Sequence, residues 1–188
     1  MPYGIRLLEM LLQKGKRVNL LYSKVAQIVA QQERNFTLPA SAKEAEALFS
    51  RQFDAQDGQL RVFGREEWFA SVASGSNPAD AMVICPCTMG TLVAIAAGMS
   101  QNLIERAADV ALKENRLLII VPREMPFSVI HLENMLKLAR AGTVILPANP
   151  GFYHRPETIQ DMVDFVVARI LDHLGVDHAL IARWGAER

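Results

Sequence analysis

A chain of 188 residues with 20 basic and 20 acidic side chains has no net charge and no basic block to draw it to nucleic acid. Its residues are 51% hydrophobic, enough for the core of one domain, yet no apolar run reaches the roughly 18 residues of a membrane helix. Nor does the N-terminus have the basic-then-apolar shape of a signal peptide, and Cys85 and Cys87 stand too close together for a disulfide framework, so a reducing, cytoplasmic setting is expected.

Pro2 suits a first helical turn, and Ile5, Leu7, Leu8, Leu11 and Leu12 supply an apolar face as far as Lys14 and Gly15. Residues 17–22 read as a strand, and Ser23 leads into a helix over 24–32. Residues 42–53 read as a surface helix and 60–63 as a short strand. Residues 66–78, rich in Ser, Gly and Asn, read as a mobile loop near the ligand-binding rim. Two apolar runs, 81–85 and 117–121, each stop at a proline, as buried strands of a parallel sheet do. Between them, Asn102 and Glu105 resemble a capping pair that opens a helix over 103–114. Ser128 precedes a helix to Arg140, and 143–146 is a last strand ending at Pro147. Residues 149–156 form a loop, and Pro156 opens a long helix to Leu174. This alternation predicts a single α/β domain over 1–188, a three-layer Rossmann-like (flavodoxin-like) sandwich with a mainly parallel sheet. Such a domain normally opens on a strand and a Gly-rich turn. This sequence opens on a helix, so a longer native product is expected.

Ligands of parallel sheets bind beyond the carboxyl ends of the strands, which puts residues 87–91 and 122–124 on one rim. The run Cys87-Thr-Met-Gly-Thr91 joins a strand to a helix. Its amides and hydroxyls suit an anion or the polar edge of a flavin, and equally an ordinary capped turn. Arg123 has the fork that clamps a phosphate, and Glu124 would exchange a proton if desolvated; both also fit a solvated loop pair. Tyr153, in the loop after the last strand, either donates to a phosphate oxygen or packs beside Phe152. Arg169 sits on a largely apolar helix, where it either snorkels to water or reaches an anion. Lys113 and Glu33 close helices, where solvated charges are ordinary. The four histidines have no metal-ligand spacing, so no bound metal is expected. No G-x-S-x-G turn marks a hydrolase nucleophile.

The runs MVICPCTMGTL, NLIERAADVALKE and LLIIVPREMPFSVIHLENMLKLARAGTVILPANPGFYHRPETIQDMVDFVVARILDHLG, with the terminal ARWG, resemble the UbiX-type flavin prenyltransferase family over essentially the whole chain. The resemblance implies a flavoprotein fold shared with FMN-dependent cysteine decarboxylases. It implies a metal-independent transferase that moves a dimethylallyl group from dimethylallyl monophosphate to N5 and C6 of reduced FMN. The prenylated FMN would serve UbiD-type decarboxylases in ubiquinone biosynthesis and aromatic acid decarboxylation, and the enzyme would be a dodecamer with active sites at subunit contacts. Carried over by motif, Ser23, Thr88, Met89, Gly90, Thr91 and Arg123 would bind FMN. Lys113, Tyr153 and Arg169 would hold the prenyl phosphate, Glu33 and Glu124 would be the acid–base pair, and Trp184, in a tail (175–188) at a subunit contact, would approach a neighbouring site. The family opens with a strand and a Gly-Ala-Ser-Gly loop ahead of a Tyr-Gly-x-Arg-Leu-Leu helix; here Met1-Pro-Tyr-Gly-Ile-Arg-Leu-Leu stands first. Two other readings follow from that departure and from the shared fold. One is an FMN-dependent cysteine-type decarboxylase, against which stand Pro-Arg-Glu-Met-Pro in place of a Met-Asn clamp and the lack of a matching histidine. The other is a flavin-binding subunit without activity, because the first phosphate loop is missing.

Overall fold

The computed structural model describes residues 1–183 and Gly185. Helix α1 (Pro2–Gln13) leads to β1 (Val18–Leu20), α2 (Lys24–Arg34), α3 (Ala42–Gln52) and β2 (Leu60–Val62). After one 3-10 turn (Ser71–Ala73) come β3 (Ala81–Cys87), α4 (Met89–Ala96), α5 (Leu103–Lys113) and β4 (Leu117–Pro122). Helix α6 (Val129–Arg140), β5 (Val144–Ile145) and α7 (Ile159–His173) complete the order.

Local chemistry fixes the helix starts. Ser23, Ser41, Thr88, Asn102, Ser128 and Thr158 each accept an amide of the first turn of the helix they precede. Each such cap contributes about 1 kcal/mol. Helix α7 starts at Ile159 rather than at Pro156 because Thr158 and Asp161 close a capping box there. The Asp161 carboxylate takes the amides of Glu157 and Thr158, both at 2.9 Å, and those bonds hold it below the usual carboxylate range.

Every strand pairing is parallel, as expected, but the sheet comes in two pieces, β1-β2 and β3-β4-β5. Strand β4 shows why the layers form. Leu118 and Ile120 pack with α4 and α6, while Ile119 and Val121 pack with α1 and α7. Alternate side chains point to opposite faces of a strand, and a strand buried on both faces carries apolar residues throughout. Helices α1 and α7 lie side by side. Arg6 clasps Asp164 with two parallel hydrogen bonds, of 2.8 and 3.1 Å. Where α1 crosses the end of β3, a Cβ on Gly4 would stand 2.6 Å from the Cys85 carbonyl oxygen, so glycine permits the approach.

The loop expected to be mobile near the rim is anchored instead. Ala70 and Val72 are buried with Leu103 and Ala107, and Arg106 Nε donates to the Ala73 carbonyl at 2.9 Å. Gly75 then lies against Lys113 and Glu114, where β3 and β4 begin, on the edge opposite the rim. The apolar residues scattered among the polar ones supply that anchor.

Candidate functional site

Strands β1 and β3 both deliver a capped helix to the same place. Ser23 Oγ accepts the Ala26 amide at 3.1 Å and opens α2. Thr88 Oγ1 accepts the Thr91 amide at 3.3 Å, lies 3.1 Å from Thr91 Oγ1, and opens α4. A Cβ built on Gly90 meets nothing within 4 Å, so the main chain there is open to a ligand. First-turn amides with flanking hydroxyls form an anion-binding edge. Met89 is a partial correction. The residue is 7% exposed and belongs to the core beneath α4, so its side chain is not offered to a ligand. Its apolar thioether is better placed among Leu92 and Ile95 than in water.

Beside these helix starts opens a cavity of about 520 Å³, lined at the rim by Ser23, Thr88, Arg123, Cys85, Pro86 and Met1. Strand β3 carries one extra residue between Ile84 and Cys87, a bulge that turns its end. The Arg123 amide donates to the Cys87 carbonyl at 3.4 Å, which ties the Pro-Arg-Glu turn to that end. Burial pushes the thiols of Cys85 and Cys87 up to about 12, so neither is a thiolate nucleophile at neutral pH.

Sequence reasoning missed Tyr3. Burial raises its hydroxyl above the ordinary tyrosine value, Cys85 adds to this, Arg123 opposes it, and Glu33 also raises it. The phenol therefore stands among rim groups. The only signal was an aromatic in the first turn of an otherwise aliphatic helix. Glu33 joins this corner, with its carboxylate 2.9 Å from the Met1 ammonium.

Two further rim groups come from loops. Glu124 is exposed, and its carboxylate accepts the Met125 amide at 3.2 Å. The loop after β5 is held to the rim by the Ala148 amide on the Pro122 carbonyl, 3.4 Å. In that loop Tyr153 sets its ring edge-on to Phe165 and His154, at 5.6 and 5.9 Å between centroids. A Cβ on Gly151 would come within 2.8 Å of the Tyr153 ring, so the loop needs glycine there to seat the phenol.

Lys113 and Arg169 are not brought to this rim within one chain. Lys113 ends α5, pairs with Glu114, and stands where β3 and β4 begin. The length of β3 separates it from the rim by about 20 Å. Arg169 pairs with Asp172 roughly 15 Å along α7 from the rim end of that helix. Both side chains are near half exposed, 44% and 52%, and so accessible to another molecule. Trp184 lies outside the described residues. Among the described residues no group of three His, Cys, Asp or Glu side chains could hold a metal, and no helix is long and apolar enough to cross a membrane.

The family model described as Flavoprotein matches residues 1–171. A flavin prenyltransferase UbiX of Pseudomonas aeruginosa is 56% identical over 98% of this chain and 88% of its own. The crystal structure of AnUbiX (PadA1) in complex with FMN and dimethylallyl pyrophosphate is 38% identical, with a TM-score of 0.86 over 99% of this chain and 92% of that one. A dodecameric FMN-dependent UbiX-like decarboxylase from Escherichia coli O157:H7 is 40% identical, with a TM-score of 0.85 over 98% of this chain and 93% of its own.

Proposed function

Since the chain belongs to the UbiX-type flavin prenyltransferases of the Flavoprotein family, we propose that it transfers a dimethylallyl group from dimethylallyl monophosphate to reduced FMN. The observation that carries this reading is the meeting of two capped helix starts and Arg123 at the mouth of one largely apolar cavity. FMN fits the residues present. Gly90 leaves room for it, the Thr88 and Thr91 hydroxyls and first-turn amides suit its polar edge, and Ser23 and Arg123 suit its phosphate.

Bound reduced flavin supplies the nucleophilic positions, N5 and C6. The protein's task is the leaving group and the proton. As the prenyl carbon–oxygen bond breaks, phosphate departs with the electron pair, and nearby cations and a phenol stabilise its growing charge. Tyr153 takes the phenol's role from the rim, beside Arg123 on the flavin. Lys113 and Arg169 take the cations' roles from neighbouring copies, because one chain leaves them on its far side with exposed heads. The site is therefore shared between subunits of a homo-oligomer, a dodecamer like that of the Escherichia coli relative, with the tail from 175 onward, including Trp184, at the contact. Glu124, within reach of solvent and next to Arg123, accepts the proton lost at the ring carbon, and Glu33 completes the acid–base pair. The setting is the cytoplasm, and the product passes to a UbiD-type decarboxylase.

The assay is anaerobic incubation with reduced FMN and dimethylallyl monophosphate, followed by mass analysis of the flavin. A gain of one prenyl unit is expected. Flavin that binds and emerges unaltered would overturn the transferase reading and favour a binding subunit; carbon dioxide released from a cysteine substrate would favour the decarboxylase.

A further inference from the structure

Tyr153 is 60% exposed, so burial alone does not fix the direction of its phenol. Two rings beside it contribute. Phe165 is anchored: it packs on the core between α1 and α7, next to Asp164, which Arg6 clasps. His154 lies flat on Phe165, with centroids 4.9 Å and planes 19° apart. Tyr153 stands edge-on to both, its plane 77° from that of Phe165 and 79° from that of His154. Aromatic pairs favour offset-stacked and edge-on arrangements, so the three rings form one consistent set.

His154 is the unusual member. Its Nδ1 and Nε2 are both sealed from solvent, and neither meets a hydrogen-bond partner among the described residues. Imidazole nitrogens are donors and acceptors, and leaving them buried and unmet costs free energy. The carboxylate whose field the ring shares, that of Asp161, is bonded instead to the amides of Glu157 and Thr158. A buried polar group without a partner needs a reason, and here the reason is shape. The main chain turns back directly after this residue. Arg155 takes a left-handed φ of +56°, and its amide donates to the Phe152 carbonyl at 2.9 Å. The half-buried imidazole is thereby laid over Phe165 while Tyr153, its neighbour, stays exposed.

Resting on the reading that Tyr153 stabilises the departing phosphate, we infer that His154 is a positioning residue for prenyl transfer: laid flat on Phe165, it sets the direction of the Tyr153 phenol by its ring and not by its nitrogens. The phenol works only where it meets the growing charge, and a displacement of about 1 Å can cost on the order of 10² in rate. The imidazole itself touches neither flavin nor phosphate.

Three substitutions separate the ring from its nitrogens. His154→Phe keeps the flat ring alone, His154→Gln keeps polar atoms without the ring, and His154→Leu keeps apolar bulk alone, which guards the loop against collapse. With reduced FMN and dimethylallyl monophosphate, His154→Phe should stay within about twofold of the wild-type kcat. His154→Gln and His154→Leu should each lose roughly tenfold or more, with the Kd for FMN unchanged. In a Tyr153→Phe background those losses should vanish, because a ring that acts through the phenol has nothing left to set. In a second arm the protein carries 3-fluorotyrosine, and the Tyr153 signal is identified by its absence from Tyr153→Phe. That signal should move less in His154→Phe than in His154→Leu. Activity kept by His154→Gln and lost by His154→Phe, equal losses with and without the Tyr153 hydroxyl, or a fluorine signal that moves as far in His154→Phe as in His154→Leu would each overturn the inference. A wild type that transfers no prenyl group, or a Tyr153→Phe variant as fast as the wild type, would instead strike the reading of Tyr153. The fluorine signals would then decide alone whether His154 sets its ring.

Discussion

Gly4→Ala tests how α1 is seated. The added Cβ would stand 2.6 Å from the Cys85 carbonyl oxygen, a main-chain atom rather than the end of a flexible side chain. Ordinary contact starts near 3.4 Å, so α1 or β3 must give by most of an ångström. Strand β3 is held by its ladder to β4, so α1 moves. Its inner residues Leu7, Leu8, Met10 and Leu12 are each 4–7% exposed and pack against α7 and β2, so the shift loosens two clusters. Overpacking of this kind costs about 1–3 kcal/mol. In a chain of this size each kcal/mol lowers Tm by roughly 2–4 °C. Helix propensity works the other way, since alanine in a helix gains up to about 1 kcal/mol over glycine. With the overpacking cost at its central value of about 2 kcal/mol and the full propensity gain of about 1, the net is about 1 kcal/mol, a Tm lower by roughly 2–4 °C with an unchanged m-value in urea. A Tm equal to or above that of the wild type would refute the packing argument.

Gly90→Ala is the complement: its Cβ meets nothing, so thermal stability should hold or rise, while the methyl group at the open helix start should weaken FMN binding by roughly tenfold in a fluorescence titration. Glu124→Gln should lower kcat by roughly 10²–10⁴ with FMN affinity nearly unchanged; an unaltered rate would remove Glu124 as the base. Arg123→Ala and Arg169→Ala should each abolish prenyl transfer alone, yet their co-expression should restore part of it, because a mixed assembly contains some sites with both wild-type arginines. No recovery would argue that each chain builds its own site. Finally, the raised thiols carry a pH signature. A folded pKa of about 12 against an ordinary 9.0 means the folded state keeps the proton longer. The contribution of Cys85 and Cys87 to stability is complete below pH 9 and is lost as pH rises from there towards 12. Urea midpoints should fall over that window, and fall less in Cys87→Ala when each variant is compared with its own value at pH 7.

The elements were legible where one residue type dictates the outcome. Ser23 and Ser128 declared their helices as caps, and the apolar runs ending at Pro86 and Pro122 declared strands whose ends form the rim, although only β4 is buried as expected while β3 is half-buried as far as Pro86. The α7 start was misplaced because Pro156 and the Thr158–Asp161 box both suit a first turn, and the box supplies more hydrogen bonds. The division of the sheet was hidden because periodicity reports which face a strand buries, not which neighbour it bonds. Tyr3 escaped notice because its surroundings, Cys85, Arg123 and Glu33, come from three other segments. For Lys113 and Arg169, sequence similarity suggested a shared pocket, whereas the folded monomer separates them from the rim. A motif carries no information about which copy supplies which side chain.

The clasp between Arg6 and Asp164 spans 158 positions of sequence. Leu7 and Met10, on the same helix, cover apolar partners on α7. A ribosome adding 5–20 residues per second needs about 8–30 s to make the second half of that pairing after the first has emerged. Throughout that interval this side of the opening helix has only residues of β3 and β4, such as Val83 and Ile119, to cover it. The nascent chain is thus a natural client for holding factors until its last long helix clears the exit tunnel.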